Sequence, residues 1–209
     1  CLSTANIPDI PGLEDFKGEW HHTGAWPHEG VDFTGKRVGQ IGTGSTGIQA
    51  APVIAAEAEH LTVFQRTPNY SVPARNAPLT DEAKAEIKES FEDIRALTHL
   101  TPNGHPFEIS PTRTDEVSDA ERLEEYERRW DKGGLRFRGA FQNLLMSKEA
   151  NDTAANFLKE KIRGVVKDSA TADKLANIDH PYGAKRPPID TTYFETYNRD
   201  NVSLVDVRA

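Results

Sequence analysis

Gly42, Gly44 and Gly47 stand at the spacing G-x-G-x-x-G within Ile41-Gly42-Thr43-Gly44-Ser45-Thr46-Gly47. Glycines so placed cradle a dinucleotide. The first permits a tight turn, the second lets a pyrophosphate reach the backbone, and the third lets a helix pack close to a strand. A helix opening at the turn adds free N–H groups and a partial positive charge. Without such a helix the same glycines make only a tight turn. About 20 residues further on, sites for the non-phosphorylated cofactor carry Asp or Glu against the ribose 2′-hydroxyl. This chain has Gln65-Arg66-Thr67 there. A carboxylate repels a 2′-phosphate, whereas a guanidinium holds one through two charge-assisted hydrogen bonds. The pocket is therefore expected to prefer NADPH; the plainer reading of Arg66 is a surface arginine at a strand end.

The surrounding pattern supplies the elements these residues need. Arg37 to Ile41 reads as a strand, Gly47 to about Ala58 as a helix, and Leu61 to Gln65 as a second strand ended by Thr67-Pro68. Thr80-Asp81 caps an expected helix carrying Ala83, Ile87, Phe91 and Ile94 on one stripe. Thr101 to Thr114 is Pro-rich and reads as loop. Ser118-Asp119-Ala120-Glu121 matches a capping box, and the charged helix behind it ends near Gly133-Gly134. Its charges are most simply a solvated face. A third helix is expected from Asn151 to Val166, with Ala154, Phe157, Leu158, Ile162 and Val165 inward. Trp130, Phe137 and Phe141 read as anchors of the core there, and a last strand runs from Val202 to Val207.

These elements predict an α/β fold: a Rossmann-like three-layer dinucleotide-binding domain with a parallel sheet, interrupted by an α-helical insertion. The expected divisions are residues 1–34 as a linker, 35–75 and 181–209 as the nucleotide-binding domain, and 76–180 as a helical lobe. The chain opens and ends in what read as a linker and a strand, so it is expected to be part of something larger.

Composition narrows the function classes. The 209 residues carry a formal net charge of −8, which argues against nucleic acid as a partner. Mean hydropathy is −0.64, and no apolar run approaches the roughly 20 residues of a membrane span. No signal peptide is visible, and the single cysteine, Cys1, fits a reducing, cytoplasmic setting. His21, His22 and His28 lack carboxylate or cysteine partners at ligand spacing, so no metal is expected.

Residues 16–27 add a second motif. Phe16, Gly18, His22, Trp26 and Pro27 match F-x-G-x-x-x-H-x-x-x-W-P. The chain resembles the type I Baeyer–Villiger monooxygenases on this fingerprint, close to the cyclohexanone monooxygenase group. The resemblance continues through Gly42-x-Gly44-x-x-Gly47-Ile48-Gln49, Phe64-Gln65-Arg66-Thr67, Lys185-Arg186-Pro187 and Tyr197-Asn198-Arg199-Asp200-Asn201-Val202.

The resemblance implies that Thr43, Ser45, Thr46 and Gln49 join the glycines around the NADPH pyrophosphate. It implies that Arg66, Thr67 and Lys185 meet the 2′-phosphate. Arg186 is then the active-site arginine that stabilises negative charge on the reacting intermediate. His22 and Trp26 lie in an interdomain linker, which makes His22 architectural. The implied reaction uses NADPH, FAD and O2 to convert a ketone into an ester or lactone. FAD is expected to bind mostly outside this chain, to the rest of the same polypeptide, so that the piece alone binds NADPH without turnover. Adjacent side chains of an extended segment diverge, so Lys185 and Arg186 can serve a phosphate and a flavin-side cavity separately. The competing view of that pair is a solvated basic loop. Competing functions are an N- or S-oxygenating flavin monooxygenase and a free-standing NADP-binding module. Trp26-Pro27 and Arg186 count against the first, and the open chain ends against the second.

Overall fold

A computed structural model describes residues 4–101, 104–107 and 109–208. Cys1 lies outside the described residues, as do Pro102, Asn103 and Glu108 of the expected Pro-rich loop.

Strand β1 (Arg37–Ile41), helix α1 (Ser45–Glu57) and strand β2 (His60–Gln65) form the expected βαβ unit. The last strand, Val202–Asp206, here β5, returns beside β2, giving a parallel sheet in the order β1-β2-β5. The register aligns Val38, Leu61 and Val202 in one row, and Ile41, Phe64 and Val205 in another. Side chains alternate across a strand. Val38, Gln40, Leu61, Val63, Gln65, Val202 and Leu204 therefore share one face. Ile48, Ala51, Ile54 and Ala55 of α1 are buried against it. The row Ile41–Phe64–Val205 lies on the other face, where Ile41 is 74% exposed. The α/β class and the parallel sheet are as expected; among the described residues no second helical layer covers that row.

A further parallel pair, β3 (Val72–Pro73) and β4 (Ile189–Asp190), stands beside this sheet. Two-residue strands carry no alternation to detect; β3 ends in Pro73, and Pro187-Pro188 precedes β4. Each is followed by a non-glycine residue in the left-handed region, Arg75 (φ 53°) and Thr192 (φ 62°).

The helical portion departs from expectation at its start. The single helix read through Ala83, Ile87, Phe91 and Ile94 is two helices, α2 (Asp81–Glu89) and α3 (Phe91–Leu100), broken at Ser90. The Ser90 hydroxyl donates to Glu86 O at 2.6 Å, a local bond that competes with helix continuation. The stripe faces solvent rather than a core, since neither helix buries a residue. Thr80 caps α2 through Ala83 N, as expected.

Helix α4 (Asp119–Lys132) starts with the Ser118–Glu121 capping box and stops at Gly133. Gly133 has φ 67°, and a Cβ there would lie 2.4 Å from Arg75 Cγ, so the stop is also a close contact with the β3 exit. Helix α5 (Lys148–Val165) begins three residues earlier than expected, because Ser147 caps Ala150 N. Helices α6 (Ser169–Ala176) and α7 (Tyr193–Thr196) are too short for their spacing to mark them in the sequence. Phe137 and Phe141 are buried, and Trp130 partly so, around Tyr126 and Phe157. Phe137 meets Tyr182 edge-on, and Tyr182 meets Tyr70 likewise. One core thus runs from α1 and β2 into α5.

Candidate functional site

The glycine turn is built by the sheet beneath it. Gly42 sits at φ 100°, a conformation that L side chains rarely adopt. Gly47 has no room for more than hydrogen: a Cβ would lie 2.3 Å from Gly42 O. Gly44 looks into open space. The buried Gln40 amide donates to both Gly42 O and Gly47 O, at 3.1 Å each, and so holds the two arms of the turn together. Helix α1 opens at Ser45 with no side-chain cap and no acidic residue in its first turn. Its first N–H groups and its dipole are therefore of the kind that favours an anion.

The turn closes on the end of β2. Thr43 Oγ1 donates to Thr67 O at 2.9 Å, which sets the exposed Arg66 beside the glycines. Gln49, on the first turns of α1, donates to Ile189 O at 3.2 Å and ties the helix to β4. Just upstream of β4, Lys185 and Arg186 are both exposed on an irregular segment stiffened by Pro187-Pro188. Asn69 Nδ2 donates to Arg186 O at 3.2 Å, so the segment leaving β2 also anchors the Lys185–Arg186 arm. The structure thus places the glycines, Thr43, Ser45, Thr46, Arg66 and Thr67 at the carboxyl ends of β1 and β2, while the Lys185–Arg186 arm is tied to the segment leaving β2 through Asn69.

No family model matches the chain. It is 46% identical over 211 residues to a Baeyer–Villiger monooxygenase of Pseudooceanicola batsensis, covering all of this chain and 38% of that protein. It is 45% identical over 210 residues to a cyclohexanone 1,2-monooxygenase of an Acinetobacter species, again covering 38% of it. A solved structure described as oxidized steroid monooxygenase bound to NADP superposes with a TM-score of 0.94 at 53% identity, over 98% of this chain and 39% of that one. The chain is a homologue of the Baeyer–Villiger monooxygenases. It spans less than two-fifths of the length of these relatives.

The Baeyer–Villiger fingerprint lies on the surface and is packed against itself. The Phe16 ring folds over Gly18, where a Cβ would lie 2.7 Å from the ring edge; that explains phenylalanine and glycine two residues apart. His22 Nδ1 accepts from Gly24 N at 3.0 Å and caps the short turn Thr23–Ala25, so its ring is used in architecture. Trp26 sits between His21 and Phe33 with ring centres 5.8 and 6.2 Å away, and Pro27 follows it half-buried. Lys36 pairs with Glu19 at 2.9 Å and moors the loop to the start of β1.

Two carboxylates near these elements left no sequence signal. Asp190 is buried; its Oδ1 accepts from Tyr193 N at 3.0 Å and its Oδ2 from the Ser71 hydroxyl. Burial pushes its carboxyl above the ordinary range, against these two bonds. The bonds join β3, β4 and α7 beneath the arm. Asp206 is held down to about 2 by the Arg208 guanidinium at the end of β5. Among the described residues no helix is long and apolar enough to cross a membrane.

Proposed function

We propose that this chain is the NADPH-binding portion of an FAD-dependent Baeyer–Villiger monooxygenase, which inserts one oxygen atom of O2 into a ketone to give an ester or lactone. The observation that carries the reading is the Thr43–Thr67 bond, which closes a glycine turn without room for a Cβ beside Arg66. The pocket suits a dinucleotide bearing an extra phosphate: an uncapped helix start for the pyrophosphate, and a guanidinium where a carboxylate would stand otherwise.

Bound NADPH supplies hydride, and FAD, held mainly by the rest of the polypeptide, supplies the chemistry of O2 activation and transfer. Gly42, Gly44, Gly47, Ser45 and Thr46 orient the pyrophosphate through backbone N–H groups. Arg66, Thr67 and Lys185 bind the 2′-phosphate. Arg186 holds a fixed positive charge where an anionic oxygen develops, and it stays protonated through the cycle. Gln49 acts at one remove, steadying α1 against β4. His22 and Trp26 belong to residues 1–34, a linker joining the nucleotide-binding part (35–75 and 181–209, with the lobe 76–180 inserted) to the flavin-binding part. The single cysteine suits a reducing, cytoplasmic setting.

The test is a paired titration with NADPH and NADH, repeated with Arg66→Ala. Tighter NADPH binding that the substitution abolishes supports the reading. Equal binding of the two cofactors by the unaltered protein overturns it.

A further inference from the structure

Lys185 and Arg186 sit between two tied-down stretches of chain. Downstream, Asn69 holds Arg186 O, and Val72 N donates to Pro188 O at 3.2 Å. Upstream, residues 181–184 form a β-turn closed by Ala184 N to Pro181 O at 3.1 Å. Gly183 is its third residue at φ 85°, the value a type II turn requires. A Cβ there would lie 2.8 Å from Leu145 Cδ2.

The second residue of that turn, Tyr182, is gripped by one side chain. Asn151, 6% exposed on the first turn of α5, donates from Nδ2 to Tyr182 O at 2.8 Å. Its Oδ1 accepts from Tyr182 N at 2.9 Å. Its remaining N–H donates to Leu144 O at 3.1 Å. Both peptide groups flanking Tyr182 are thereby oriented as a neighbouring strand would orient them. In a turn of this type those two peptide planes set the direction in which the chain leaves. Tyr70 adds a second point, its hydroxyl donating to His180 O at 3.0 Å. Lys185 is near enough to Asp179 for its charge to help lower that carboxylate, and both cations are exposed, so the course of the backbone largely sets where they point.

We propose that Asn151 is a positioning residue for the Lys185–Arg186 arm. Through Tyr182 the helical lobe sets where the two cations meet the cofactor. The inference rests on the reading of Lys185 as a 2′-phosphate contact. It goes beyond that reading by giving the lobe control of cofactor preference.

The experiment compares Asn151→Asp and Tyr70→Phe in the full-length protein, with Arg66→Ala alongside. KM for NADPH and for NADH is measured with kcat and the unfolding temperature. Asn151→Asp keeps the acceptor but loses both donors, and is expected to lower the preference for NADPH over NADH by about tenfold, while Tyr70→Phe, losing one bond, lowers it by about threefold. A purely structural role would lower the unfolding temperature and the amount of active protein but leave the NADPH-to-NADH ratio of KM unchanged. An unchanged ratio in both variants, with Arg66→Ala still abolishing the preference, overturns the positioning role alone. An unchanged ratio in all three overturns the nucleotide reading beneath it. If Asn151→Asp does not fold, Tyr70→Phe decides on the same ratio.

Discussion

Thr43 and Thr67 lie 24 residues apart and meet through one hydrogen bond, Thr43 Oγ1 to Thr67 O at 2.9 Å. That bond closes the glycine turn onto the end of β2. The glycine turn and the backbone that carries Arg66 are thus tied together, as the proposed phosphate site requires. A phosphate clamp needs such rigidity, because a donor that wanders loses in ordering entropy what it gains in contact.

Thr43→Val keeps the shape of the side chain and removes the donor. Leaving the Thr67 carbonyl without its partner should cost about 1–2 kcal/mol of stability. The check is a denaturant titration, in which the midpoint falls with an unchanged slope. The variant should also bind NADPH more weakly, because the turn is no longer moored.

Arg66→Ala should weaken NADPH binding by about ten- to a hundredfold, the worth of charge-assisted bonds of about 1.5–3 kcal/mol. NADH binding should stay level, since that cofactor has no phosphate for the guanidinium to hold. Isothermal titration of both cofactors reads the two effects together.

Gly47→Ala places a methyl group 2.3 Å from Gly42 O, a backbone atom with little freedom to yield. Overpacking of this kind costs about 1–3 kcal/mol. The turn should open, with a lower unfolding temperature and loss of NADPH binding. Gly44→Ala meets nothing within 4 Å of its Cβ. It should fold normally and fail only in cofactor binding, because the added methyl occupies the approach to the backbone.

Asp190 gives the stability a pH dependence of definite sign. Burial raises its carboxyl above the unfolded value of 3.8, so the folded state holds the proton longer than the unfolded chain does. Linkage then makes its contribution decline as pH climbs from 3.8 through the raised folded value, and level off above it. Asp190→Asn removes that decline while keeping an acceptor for Tyr193 N and offering an N–H toward Ser71. Urea midpoints across the acid range, compared between the two proteins, should differ least at the acid end. Asp206 works the other way: held at about 2 by Arg208, it contributes stability that is lost as pH falls through that value.

The parts of the fold legible in the sequence are those with a repeating physical cause. The alternation Leu61, Val63, Gln65 marks β2, and the Ser118–Glu121 box marks the start of α4. Gly42 and Gly47 mark the turn because no other residue fits there. The stripe Ala83–Ile94 misled, because helical spacing continues across Ser90 whereas the helix does not. Elements β3, β4 and α7 are too short to complete a period. In the site, residue types alone single out Arg66. The bonds that aim the rest, Gln40 to Gly47, Asn69 to Arg186 and Asn151 to Tyr182, join side chains to distant backbone and leave no trace in spacing.

The row Ile41–Phe64–Val205 bears on how residues 1–209 behave at a laboratory bench. It sets apolar side chains side by side across three strands, on the sheet face opposite α1. Two copies meeting there would bury oil against oil, and mutual repulsion from a net charge of −8 opposes the encounter alongside the entropy lost on association. Added salt shortens the reach of that repulsion to about 10 Å at 0.1 M. Light scattering of this stretch should therefore rise with both concentration and ionic strength, and Ile41→Lys should flatten the rise.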